Sequence, residues 1–125
     1  MDEPILETIK KLLGCENIDE FDEQLIILIN GAIDVLIENG VGNKKGFMIT
    51  ENNETWADLI TNDNKELFNL CKTYIYLEVK ILFDTTSMSS YVLNAIKEKN
   101  QEYLWRIREQ AEPADYFEVN EEEGE

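Results

Sequence analysis

The run Asn64-Lys65-Glu66-Leu67-Phe68-Asn69-Leu70-Cys71-Lys72-Thr73-Tyr74-Ile75-Tyr76-Leu77-Glu78-Val79-Lys80-Ile81-Leu82-Phe83-Asp84 carries two adjacent apolar lines at helical spacing. One follows Leu67, Cys71, Tyr74 and Ile81; the other follows Phe68, Ile75, Val79 and Leu82. A helix with a single buried face needs one such line. Two lines, with Lys72, Glu78 and Lys80 as the main polar positions, predict a helix packed on more than one side. The Ile, Val, Tyr and Phe content of residues 74–83 also suits a buried strand. Length and the placement of the charges, which do not alternate, favour the helix. The expected fold is all-α: a small bundle of four to five helices around this segment, with Trp56, Tyr74, Ile75 and Leu82 as core anchors.

Outward from this segment, the flanking helices have clear signals. Asp2-Glu3-Pro4 sets acids and a proline at a helix start, Ile5, Leu6, Ile9, Leu12 and Leu13 supply its apolar face, and Gly14 ends it. Asp19 is placed to cap a second helix. Its main face is Phe21, Leu25, Leu28, Ile29, Ala32, Ile33 and Leu36, and it stops at Asn39-Gly40. Ile26, Ile27, Val35 and Ile37 add apolar surface outside that face. Gly31 inside this helix costs about 1 kcal/mol relative to alanine; close helix contact and simple tolerance explain it equally well.

Residues 41–54 hold glycines, asparagines and paired lysines and read as a long loop, with Phe47 to Thr50 as a short extended piece. Thr55-Trp56-Ala57-Asp58 resembles a capping box that opens a short helix. The polar break from Asp84 to Ser90 ends the central helix and offers caps for the last one. That helix carries Val92, Leu93, Ile96, Tyr103, Leu104 and Ile107 inward and mixed charges outward. The helical pattern stops at Glu112-Pro113. Residues 1–111 thus read as one helical domain, and 112–125 as a flexible acidic tail, disordered until assembled. Within the tail, Tyr116, Phe117 and Val119 form a compact apolar cluster able to lie in a partner's groove.

Composition narrows the function. At 125 residues the chain suits one domain with a real core. There are 27 acids against 11 bases, a net charge of −16, and seven of the acids lie between Glu112 and Glu125 with no base among them. Such a field disfavours direct binding to a phosphate backbone. It is compatible with a basic protein partner, with imitation of DNA, or with nothing more than solubility. No apolar run is long enough to span a bilayer, and the acidic N-terminus is unlike a secretory signal, so a soluble, unexported protein is expected. Cys15 and Cys71 read as free thiols. The absence of histidine removes the commonest general base and metal ligand. No phosphate-binding, dinucleotide, zinc or nucleophile-elbow spacing is present. Asp19, Asp22 and Glu23 lack the glycine and terminal glutamate of a calcium loop. No catalytic residue, metal or cofactor is expected, and the chain does not read as an enzyme.

Several of these segments together resemble a known family. They are Ile5-Leu6-Glu7-Thr8-Ile9-Lys10-Lys11-Leu12-Leu13-Gly14, Phe21-Asp22-x-x-Leu25-Ile26, Leu36-x-x-x-Gly40-Val41-Gly42, Thr55-Trp56, Lys72-Thr73-Tyr74-Ile75-Tyr76-Leu77, Leu82-Phe83-Asp84 and Ser89-Ser90. The series is similar to the small head-tail connector, or adaptor, proteins of long-tailed bacteriophages and prophages, up to about Ala111. The resemblance implies a structural role in the virion neck. Copies would form a ring, dodecameric to match the portal, with Ile26, Ile27, Val35, Ile37 and Val79 as the candidate subunit interface, that joins the portal to the tail or neck-completion proteins and extends the DNA channel. Portal protein, the downstream neck protein and the chain itself would be the partners. DNA would pass through without specific binding, and no membrane is involved. Location would be the head-tail junction of the virion, and the host cytoplasm during assembly. The rival reading from composition is an acidic DNA mimic that blocks a host DNA-binding enzyme.

Overall fold

A computed structural model describes residues 2–42, 45–84 and 88–124, with side chains of the last helix as far as Ala111. Among these residues there are five helices and no strand: α1 (Ile5–Leu13), α2 (Asp22–Glu38), α3 (Trp56–Leu59), α4 (Lys65–Phe83) and α5 (Ser90–Gly124). The all-α bundle expected from the sequence is what forms. The helix trace of α5 runs on to Gly124. The side chains of Tyr116, Phe117 and Val119 lie outside the described residues.

Helix α4 packs against α1, α2 and α5, which makes it the centre of the bundle. Both of its apolar lines are used: Leu67, Cys71, Tyr74, Ile75, Val79 and Ile81 are all buried. Helices α2 and α5 run antiparallel to it. Phe21 at the start of α2 meets Phe83 at the end of α4 edge-on, with ring centroids 5.4 Å apart. Asn64 bonds Gln110, and Asn100 reaches the Tyr74 carbonyl, so α5 descends as α4 rises. The side chain of Asn64 caps α4 by accepting from the Leu67 N–H at 3.0 Å, and Ser89 caps α5 by accepting from the Val92 N–H at 3.2 Å.

One core anchor departs from expectation. Trp56, Tyr74 and Ile75 are buried, but Leu82 is 57 % exposed. Leu82 has the same azimuth on α4 as Ile75, being seven residues on. It stands about 10.5 Å further along the axis, in the last turn, level with the first residues of α2 and α5, where the bundle ends and its cover is thin. Periodicity reports the angle of a side chain but not its height.

Asp19 is a second departure. The N-cap position of α2 belongs to Phe21, with no side-chain cap bond. Asp19 instead accepts from Lys10 of α1 at 2.8 Å, and Asp22 Oδ1 lies 2.9 Å from the same ammonium. Lys10 is 6 % exposed, so this α1–α2 tie is a shielded cation between two carboxylates. The hydrogen bond from Lys10 to Asp19, with Asp22 behind it, outweighs desolvation and holds the ammonium above its ordinary pKa.

Two further groups shift the same way. Burial pushes the Cys71 thiol from 9.0 to about 12 and, with Glu78 nearby, the Tyr74 hydroxyl from 10.0 to about 12. All three folded pKa values are raised. Their stabilisation is therefore complete below the unfolded values and is lost as pH climbs through the folded ones. The urea midpoint should fall between pH 8.5 and about 11, and Cys71→Ala should flatten the early part of that fall. A midpoint constant to pH 11 would contradict the burial of these groups.

Candidate functional site

The loop joining α2 to α3 is held by side chains in place of a strand ladder. Asn30, on α2, donates from Nδ2 to the Ile49 carbonyl at 2.9 Å and accepts at Oδ1 from the Ile49 N–H at 2.8 Å. The extended piece expected at Phe47 to Thr50 thus pairs with one amide side chain, and Ile49 is buried beneath it. Further on, the Glu54 carboxylate accepts from the Thr50 N–H and hydroxyl and from the Glu51 N–H. Burial would raise its pKa, but these three donors win and lower it. Asn30→Ala removes both bonds and leaves the Ile49 amide unpaired. That should cost about 2 kcal/mol and raise amide exchange at Ile49 and Thr50, while Asn30→Asp, which keeps one acceptor, should cost less.

At the start of the loop, Gly40 and Gly42 adopt φ values of 99° and 72°, which bracket Val41 and turn it into the core. A hollow of about 460 Å³ lies where the loop passes α2, lined by Asn30, Asp34, Lys45, Gly46, Phe47 and Met48. The capping box at Thr55 forms, with the Thr55 N–H donating to Asp58 at 2.9 Å. An isolated bridge between Pro4 and Thr55 ties this corner to the N-terminus.

The distribution of exposed apolar side chains is the main feature of the surface. Among the described residues, Leu12, Ile18, Phe21, Ile27, Met48, Leu82, Tyr91, Val92 and Trp105 are large and exposed. The antiparallel register sorts them. Asn100 is level with Tyr74 and Gln110 with Asn64, so Tyr91 and Val92 stand level with Phe83 and Leu82. Phe83 in turn touches Phe21. Phe21, Leu82, Tyr91 and Val92 therefore share one end of the bundle. Ile27 and Met48 belong to the outer side of α2 and its loop. Trp105, 60 % exposed, stands further along α5 beside a shallow hollow of about 180 Å³ that it shares with Asn39, Gln101, Leu104 and Arg108. Large apolar side chains are thus exposed at the bundle end, on α2 with its loop, and on α5.

The residues expected at a subunit interface divide accordingly. Ile27 is 70 % exposed; Ile26, Val35 and Ile37 are half-buried against the core. Val79 is fully buried, on the second apolar line of α4, and has no surface to offer a neighbour. Trp105 and Tyr91 were not anticipated. Trp105 lies off the seam that Leu93, Ile96, Asn100, Leu104 and Ile107 form on α5. An aromatic off the apolar line was the available signal. Asn100 was also missed: it is 1 % exposed, donates to the Tyr74 carbonyl at 3.2 Å and to Glu78 at 2.9 Å, and leaves its own Oδ1 unpartnered. A polar gap on a helical seam fixes register at a cost in stability.

No group of three or more acidic or cysteine side chains is placed to hold a metal among the described residues. Nor is any described helix long and apolar enough to cross a membrane. Exposed apolar side chains, more than any polar cluster, mark the described surface. No curated protein and no solved structure matches the chain. A family model described as phage connector protein matches residues 5–114, which takes in α1 to α4, the glycine-bracketed turn and most of α5. The chain belongs to the phage connector protein family.

Proposed function

We propose that this protein forms a ring in the neck of a tailed phage, joining the portal of the DNA-filled head to the tail or neck-completion proteins and extending the DNA channel. Its family is structural and not enzymatic. The observation that carries the reading is exposed apolar surface on different sides of one small protomer. A closed ring is built from heterologous contacts, which need two unlike patches on every copy. The α2 side, with Ile27, and the α5 side, with Trp105, are two such patches. The bundle end with Leu82 and Tyr91 is left over for a different protein, above or below the ring.

Charge supports the same role. With a net charge of −16, a ring of this chain would repel the DNA it surrounds and let it slide. The acidic tail, with Tyr116, Phe117 and Val119, is the proposed portal anchor. The test is co-sedimentation of portal rings with the full chain and with a chain ending at Ala111. The full chain should bind in a saturable ratio matching portal symmetry, and the shortened chain should bind at least tenfold more weakly. Equal binding of both would remove the anchor. No binding of either, together with capture of a basic DNA-binding enzyme, would favour DNA mimicry.

A further inference from the structure

A specific contact between neighbouring copies presupposes the ring reading and rests on it; the exposed lines of two helices select which residues meet. Helix α2 has one solvent-facing line: Glu23, Ile27, Gly31, Asp34 and Glu38 are all exposed. The helix contains four acids and no base. Gly31 sits mid-helix, where glycine lowers helix propensity, yet a Cβ added there would meet nothing within 4 Å. Nothing inside the protomer explains a missing side chain at that point. A bulky group arriving from outside would.

Helix α5 carries the counterpart. Lys97, Gln101, Trp105 and Arg108 lie on one exposed line with the tryptophan central. From Ser90 to Ala111 this helix has four bases, Lys97, Lys99, Arg106 and Arg108, against three acids, so this stretch is net basic by one charge while the rest of the helix is acidic. Exposed tryptophan flanked by arginine is the composition of an interface anchor.

Direction and height then select a register. Both α2 and α5 run antiparallel to α4, so they are parallel to each other. In a ring of about twelve copies, neighbours differ by a rotation of about 30° with no rise. A helix α5 of one copy must therefore meet α2 of the next nearly parallel and at nearly the same height. Laying Trp105 opposite Gly31 in that sense puts Gln101 opposite Ile27, Arg108 opposite Asp34 and Lys97 opposite Glu23. The reverse sense would set Arg108 against Leu28 and Lys97 against Asn39, pairing neither charge. Height leaves an offset of one turn. Within a protomer Phe21 is level with Tyr91, so Gly31 is level with Gln101; Trp105 is one turn further, about 6 Å, which a modest tilt of the helices to the ring axis makes up.

We propose that Trp105 of one copy packs over Gly31 and Ile27 of the next, with α5 parallel to α2 and with Arg108 beside Asp34 and Lys97 beside Glu23. The contact is predicted to draw the free chain into oligomers at high concentration without any other component.

The experiment uses the full chain carrying Cys15→Ser, with buried Cys71 left in place. Gly31→Cys and Trp105→Cys are made separately, mixed, and treated with a short bismaleimide; a chain carrying both is treated alone. The mixture should give crosslinked dimers and the double variant a ladder of multiples, while each single variant alone gives none. Arg108→Asp and Asp34→Arg should each raise the concentration needed for association at least tenfold, and the two together should restore it. That exchange would not rescue a merely structural loss. Multi-copy particles by light scattering without the ladder would overturn this contact and leave the ring standing. Crosslinks in Trp105→Cys alone would mean a two-fold pairing of α5 and also overturn it. A chain that stays monomeric at every soluble concentration would overturn it too, and binding to portal rings would then decide the ring reading separately.

Discussion

Trp56→Ala should destabilise the protein by about 3–5 kcal/mol, a large share of the stability of a domain of this size. Trp56 is fully buried and lies edge-on to Phe68 with centroids 5.6 Å apart. Its Nε1–H donates to Thr8 Oγ1 at 2.8 Å, and the Thr8 hydroxyl in turn donates to Glu3. That last bond, followed by Lys11, holds the Glu3 carboxyl below its ordinary pKa. One side chain thus joins the loop corner to α1 and α4. Trp56→Phe keeps most of the bulk and loses the hydrogen bond, and should cost about 1–2 kcal/mol. Urea unfolding followed by circular dichroism separates the two. A loss under about 1 kcal/mol for alanine, well below the range for a buried tryptophan, would show that α1 and α4 hold together without this anchor.

The second large effect falls on the turn after α2. Gly42→Ala should cost about 2–4 kcal/mol, from two sources. At φ of 72° an L side chain is strained by about 1–2 kcal/mol. The added Cβ would also stand 2.7 Å from the Leu59 carbonyl oxygen, which is backbone and cannot swing aside. Gly46 is the internal control: its φ is 98°, but a Cβ there meets nothing within 4 Å. Gly46→Ala should carry the strain alone, about 1 kcal/mol. Equal losses for the two alanines would mean that the approach of Leu59 is relieved elsewhere.

This turn shows how far the sequence could be read. Gly40-Val41-Gly42 was legible as a helix end and as part of the family resemblance. The reason for its second glycine was not, because Leu59 is distant in the chain and approaches only after folding. The helices were legible because each apolar face repeats locally, and Gly14, Thr55 and Ser89 mark ends by short-range chemistry. Where one side chain had two competing partners, local reading chose wrongly: Asp19 is a good cap, but Lys10 held it more strongly. Lys10 itself stood among Leu6, Ile9 and Leu13 and counted as polar, although its stem is buried and its charge shielded. Leu82 and Val79 exchanged roles for one reason. Both lie on the same line of α4, and only the heights of α2 and α5 decide which is covered.

The surfaces were the least legible part. Ile27 was found because it lay off the main face of α2. Trp105 has the same property on α5, and reading the seam through Asn100 would have exposed it. Apolar residues outside a seam carry the information about assembly, since the fold does not need them.

A ring subunit of a connector forms particles with the mass of many copies. Native mass spectrometry of the full chain, alone and with the cognate portal, should give closed multiples of the protomer or a complex whose copy number matches the portal's symmetry. A protomer that remains single in both conditions would contradict the ring.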